Sequence, residues 1–210
     1  MKMIPFYLIL SLFSGCAFLQ KKAAPIYPNQ NSMIESWEKS FCQSLEGKAR
    51  LAASDKKISF EFSQRFDQDQ ILFGIQTPKG EKILILTADR WMGDFSNDLI
   101  HFLMEQKLKY QEIRQLMLLS YSTFDKLTLA FLKPDQQCSQ SFNQLRYEKK
   151  CRDYQLVLSH EKMQLKQGEN VVTVERDEDG WNLIQSEWSL KNAVPNKILM
   201  TQNVSKCHKI

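Results

Sequence analysis

The chain has 210 residues, 43% of them hydrophobic and 11% aromatic, with 13 Phe and a net charge of +4. That length holds about one domain, large enough to bury a core without a metal staple, and the apolar content excludes an intrinsically disordered chain. The positive charges are scattered and no nucleic-acid-binding motif occurs, so the basic excess suits an anionic membrane surface rather than nucleic acid.

At the start of the chain, Lys2 supplies a positive charge and Met3 to Phe13 form an apolar run too short to cross a bilayer. The small residues Ser14 and Gly15 then lead to Cys16. This is the shape of a secretory signal. The ending Leu12-Phe13-Ser14-Gly15-Cys16 resembles a bacterial lipobox, with Phe13 where Leu, Val or Ile is usual. The resemblance implies that residues 1–15 are removed and that Cys16 is acylated as the new amino terminus. An ordinary signal peptide or an uncleaved anchor is the alternative. Loss of Lys2 leaves the mature chain near +3 (4 − 1). Residues 16–31 carry Lys21, Lys22, Pro25 and Pro28 with little periodicity, and read as a flexible tether ahead of a domain over 32–210.

Ser32-Met33-Ile34-Glu35 fits a capping box, and Ile34, Trp37, Phe41 and Leu45 recur near helical spacing, with Gly47 as the stop. The period then changes to two. Ile58, Phe60 and Phe62 form one apolar face, Ile71, Phe73 and Ile75 another, and Lys82 to Thr87 follow the tight turn Thr77-Pro78-Lys79-Gly80. Leu72, Leu84 and Leu86 add apolar bulk to the opposite face. Helical spacing returns with Leu99, Phe102 and Leu103, and again with Ile113, Leu116 and Met117, as two short amphipathic helices.

Leu127, Leu129 and Phe131 alternate like a strand, and Pro134 to Lys150 is polar and reads as a loop. Further strands are expected at Tyr154–Leu158, Met163–Lys166, Val171–Glu175, Trp181–Gln185 and Lys197–Thr201, with turn signals at Gly168 and Asp179-Gly180. The order predicts an α+β fold: a curled antiparallel sheet, or incomplete β-barrel, covered by an N-terminal helix and two short lid helices.

With Cys16 acylated, Cys42, Cys138, Cys151 and Cys207 remain, an even set that suits two disulfides in an oxidising compartment. Cys138 and Cys151 flank the polar segment and form the favoured pair, leaving Cys42 to join Cys207 and tie the first helix to the tail; four free thiols are the alternative. No metal-ligand spacing is present, and no metal or cofactor is expected. His101, His160 and His208 lack a nucleophile in a recognisable motif and read as surface or packing residues, not as members of a catalytic site. Asp177-Glu178-Asp179-Gly180 reads as a solvated hairpin turn rather than a calcium loop.

The broader signal is apolar. A curled sheet with this many large side chains on one face must fill it with its own core, with helices or with a ligand. Ile58, Phe60, Phe62, Ile71, Phe73, Ile75, Leu99, Phe102, Leu103, Ile113, Leu116, Met117, Leu127, Leu129 and Phe131 are the candidates to line a cavity for acyl chains.

The element order, Leu45-Glu46-Gly47-Lys48-Ala49-Arg50-Leu51, the turn Thr77–Gly80 with Ile83–Leu86 after it, the stretch Leu99–Leu119, and Val194-Pro195-Asn196-Lys197-Ile198 together resemble the LolB-like outer-membrane lipoprotein receptors and the related carrier LolA. The resemblance covers most of the chain from about Ile34. It implies an acylated Cys16, a half-barrel with an apolar cavity under lid helices, and a non-enzymatic carrier at the periplasmic face of the outer membrane. Its partners would be acylated lipoprotein or lipid cargo and a periplasmic carrier. It also implies a protruding loop at Pro78, Lys79 and Gly80. There the family places an exposed apolar residue, whereas Lys79 suits anionic headgroups better than hydrocarbon. A structural or assembly lipoprotein that binds an envelope protein is the other reading.

Overall fold

The computed structural model describes residues 25–53, 56–67, 69–77, 80–93, 109–129, 137–190 and 196–209. The fold is mostly β. Twelve antiparallel strands form one sheet: β1 Cys42–Ala53, β2 Lys56–Asp67, β3 Gln70–Thr77, β4 Gly80–Leu86, β5 Trp91–Gly93, β6 Ser139–Asn143, β7 Arg146–Lys150, β8 Gln155–Leu158, β9 Lys162–Gln167, β10 Asn170–Arg176, β11 Trp181–Ser189 and β12 Lys197–Lys209. Two meanders, β1 to β5 and β6 to β12, meet where β12 pairs with β1. The sheet does not close into a barrel; β5 and β6 are its edges. Among the described residues there are two helices, α1 Gln30–Lys39 and α2 Tyr110–Leu129.

The sheet is strongly curled. β2 and β11 are three places apart in the strand order, about 14 Å in a flat sheet, yet the rings of Phe66 and Trp181 lie 6.3 Å apart, centre to centre. Phe41 completes that aromatic cluster, 5.6 Å from Phe66 and 5.2 Å from Trp181. Inward-facing residues alternate along the strands, as in Phe62, Gln64 and Phe66 of β2, and form one buried core with α1 and α2.

Helix α1 starts earlier and stops sooner than its sequence pattern suggests. Asn29 is the N-cap: its side chain accepts from the Ser32 amide, and the Ser32 hydroxyl completes a reciprocal box. The helix ends at Lys39, so Phe41 lies beyond it and Leu45 and Gly47 belong to β1. Gly47 sits at a register irregularity against β12, where a Cβ would come within 2.0 Å of the Asn203 carbonyl oxygen. It is a close-approach glycine, not a helix stop.

Helix α2 contains the short helix expected around Ile113, Leu116 and Met117 and also takes in Leu127 and Leu129, whose alternation suggests a strand. Ile113, Leu116, Met117, Ser120, Phe124 and Leu127 are all buried along it at helical spacing. Two hydroxyls interrupt the apolar stripe, but Ser120 donates to the Leu116 carbonyl and Thr123 to the Leu119 carbonyl, so neither needs water. The other expected lid helix, with Leu99, Phe102 and Leu103, lies outside the described residues, as does Phe131.

The segment read as a loop over 134–150 contains the hairpin β6–β7, pinned at its base by the Cys138–Cys151 disulfide. The second disulfide joins Cys42 and Cys207, and so ties β1, not a helix, to the end of β12. Leu84 and Leu86 pair with Phe73 and Ile71 and share their face of the sheet, leaving only Leu72 of that trio on the other side.

Candidate functional site

Beneath α2 the concave face of the sheet is not fully filled. A cleft runs between Leu116, Met117, Ser120 and Phe124 of the helix and a wall built by Phe60 and Gln64 of β2, Ile71, Phe73 and Ile75 of β3, and Leu84 and Leu86 of β4. Leu51 of β1, Trp188 of β11 and Met200 of β12 close its far side. β4 and β11 meet around one cleft only because the sheet curls. Counted to its mouth, the unfilled space is about 580 Å³, of which about 60 Å³ is open to the centre of a water-sized sphere. The second figure gives room for roughly four to six groups of water or methylene size. This geometry therefore admits a short stretch of hydrocarbon.

Among the described residues the lining is apolar, with no charged side chain; its polar members are Gln64, Ser120 and the indole of Trp188. Gln64 and Gln202, both buried, are joined by a bond from Gln202 Nε2 to Gln64 Oε1 at 3.1 Å. Gln64 Nε2, Gln202 Oε1 and Trp188 Nε1 are buried with no hydrogen-bond partner.

Of the expected cavity residues, Phe60, Ile71, Phe73, Ile75, Leu116 and Met117 line this cleft together. Phe62 is buried beside it, its ring stacked 6.0 Å from that of Phe73. Ile113 and Leu127 are fully buried on α2 outside the lining, and Ile58 is half-buried against the core. Leu129 is the last residue of α2. Leu51, Gln64, Leu84, Leu86, Ser120, Phe124, Trp188 and Met200 were missed. For Gln64 and Ser120 the periodicity itself was the signal, since each falls at an apolar position of its element. Of the loop residues Pro78, Lys79 and Gly80, only Gly80 is described; it opens β4 at φ +110 with free space around it.

A second, polar cleft lies where α1 meets β10, lined by Ser36, Ser40, His160, Glu175, Arg176 and Asp177 among others. Its central group, Arg176, is buried and fully engaged. Its Nε donates to the His160 carbonyl, Nη1 to the Ser36 carbonyl and the Ser40 hydroxyl, and Nη2 to the hydroxyls of Ser36 and Tyr27. Burial pushes Arg176 below the ordinary guanidinium value, opposed by the Tyr27 phenol. His160 is held below the usual imidazole value by burial and by the Arg176 charge, and its Nδ1 lies 2.8 Å from the Tyr27 hydroxyl. These groups fasten α1 to the sheet, and every N–H of the Arg176 guanidinium is used in doing so. His101 lies outside the described residues, and His208 is exposed on β12.

Asp177 accepts from the amides of Asp179 and Gly180 and from the Asn182 side chain, which makes the β10–β11 connection a self-satisfied turn. Among the described residues no group of three metal-ligating side chains converges, and no helix is long and apolar enough to cross a membrane. No protein-family model matches the chain, and no curated protein matches its sequence.

Proposed function

We propose that this protein is a lipid-anchored, non-enzymatic carrier that shelters acyl chains of lipoproteins or lipids in the cleft under α2. The observation that carries this reading is the lining itself: among the described residues, an apolar hollow without charged side chains between a curled sheet and α2. Such a site gains its binding energy from apolar burial and asks few polar contacts of its guest. The space open under α2 takes only part of a chain. Cys16, acylated, would hold the domain at a membrane. Ala17 in place of an aspartate after it favours the periplasmic face of the outer membrane, and the two disulfides suit that compartment. The likeness to LolB-type carriers supports the same assignment, with a periplasmic carrier as the donor of cargo.

Native mass spectrometry of the protein released from membranes tests it. The expected result is a set of added acyl masses, together with saturable binding of a fluorescent fatty acyl probe. Protein that is always empty and never binds the probe would remove the carrier reading.

One observation favours a second reading, an assembly lipoprotein. The outer face of β3 to β5 carries Leu72, Ile85 and Met92 in register, with Ile83 beside them; Ile83 and Met92 are exposed. In-cell cross-linking separates the two. A single stoichiometric protein partner held through this face supports the assembly role, and mixed acylated cargo supports the carrier.

A further inference from the structure

We propose that the Gln64–Gln202 pair is a recognition site for the neutral carbonyl linkage, ester or amide, at the head of an acyl chain. This inference rests on the carrier reading and specifies its ligand. Gln64 is 2% exposed and Gln202 fully buried, and both stand at inward positions of strands that otherwise carry Phe, Ile and Met there. A buried amide without its full set of bonds is costly, and native cores seldom keep one. The two glutamines spend one donor and one acceptor on each other. Gln64 Nε2, on a side chain that lines the cleft, is left over, and so is Gln202 Oε1. In this orientation Gln64 offers a donor to the cleft; exchanging the oxygen and nitrogen of both amides would present its carbonyl instead.

The missing partner is therefore polar and uncharged. An ionised carboxylate would be buried without a cation, since the lining contains none among the described residues. A plain hydrocarbon would leave the amide donor unpaired. An ester carbonyl accepts from Gln64 Nε2, the unpaired donor on the cleft wall. A secondary amide accepts in the same way. The hydrocarbon beyond the linkage would run among Phe60, Phe73, Leu84 and Met117.

The test is competition against a fluorescent acyl probe on the full chain, with four ligands of equal length: methyl laurate, N-methyl lauramide, laurate at pH 8, and dodecane. The ester and the amide should each bind at least tenfold more tightly than laurate and dodecane. Whichever of the two binds better identifies the linkage, and hence a glycerolipid or an N-acylated source. In Gln64→Leu that advantage should vanish while dodecane binding persists, which also certifies the fold. Gln202→Leu serves if Gln64→Leu does not fold. Equal binding of all four ligands, or an ester and amide preference that survives both substitutions, overturns the linkage site alone. If the native protein binds none of the four, the carrier reading fails and this site with it.

Discussion

The guanidinium of Arg176 lies over the indole of Trp37, its central carbon 4.0 Å from the ring centre. This stacking is the centre of the joint between α1 and the sheet. The Ser36 carbonyl is in the last turn of α1, where backbone acceptors lack intrahelical partners, and Arg176 satisfies it. A cation at that end also meets the negative pole of the helix. Trp37 adds its own bond from Nε1 to the Ser159 carbonyl at 2.7 Å. Arg176→Ala would strip the helix end and leave several buried oxygens unpaired, and is expected to cost about 2–4 kcal/mol. Arg176→Lys should recover only part of this, because an ammonium cannot reproduce the fork or the stacking. Urea unfolding at constant m value checks both; a midpoint unchanged in Arg176→Ala would mean that α1 docks without this contact.

The two disulfides differ most in the length of chain they close. Cys42 and Cys207 are 165 residues apart, Cys138 and Cys151 only 13. Loop-closure entropy gives about 5 kcal/mol for the first and about 3 for the second. Replacing Cys42 and Cys207 together with Ala should therefore lower stability by about 2 kcal/mol more than replacing Cys138 and Cys151 together. The shorter bridge closes the β6–β7 hairpin at the sheet edge, so its loss should first appear as faster amide exchange in that hairpin. Equal losses in the two double variants would show that chain entropy does not govern either bridge.

The strands were legible wherever the pattern of alternate apolar residues was strong, as in Phe60-Glu61-Phe62 and Met163-Gln164-Leu165. It failed where polar residues occupy buried positions or apolar ones are scarce. In β6 and β7 only Phe142 and Tyr147 are apolar, and a disulfide supplies the order that burial does not. Gly47 followed an apolar series at near-helical spacing and resembled a helix end; only the pairing of β1 with β12 reveals why no side chain fits there. In α2 the buried Ser120 and Thr123 split one stripe into two, and Leu127 and Leu129 then looked like a strand. The cleft was legible in part for the same reason. Its β3 residues and two of its helix residues follow plain periodicity, whereas Trp188 and Met200 reach it only through the curl of the sheet.

The burial of His160 beside Arg176 predicts a pH dependence of stability. In the folded protein His160 is held below its ordinary value, chiefly by burial and then by Arg176, with Glu161 opposing. Above a pH of about 6.5 both folded and unfolded chains carry neutral imidazole, and the group contributes no pH dependence. As the pH falls through that value the unfolded chain takes up the proton first, so unfolding binds protons and stability drops. The drop ends once the folded protein is protonated as well. Other groups titrate in the same range, so the contribution is the difference between the native protein and His160→Gln, followed by urea midpoints from pH 8 to pH 5. The variant should show a flatter profile. Parallel profiles would mean that the imidazole is not desolvated in the folded protein.

Occupying the cleft from within separates a ligand site from a packing defect. Met117 lines it from α2 and is buried. Met117→Trp adds volume where about 60 Å³ is already open to water-sized groups. Overpacking a filled core costs about 1–3 kcal/mol, and prior space places this change at the low end. If acyl chains enter here, the indole competes with them for the same space. Affinity for a fluorescent acyl probe should fall at least tenfold while the urea midpoint changes little. Gln115, two positions earlier on the exposed side of the same helix, provides the control, since Gln115→Trp leaves the cleft open and should leave binding intact. Unaltered probe affinity in Met117→Trp would place the acyl chain elsewhere on the molecule. The gap under α2 would then be an imperfection of packing with no guest.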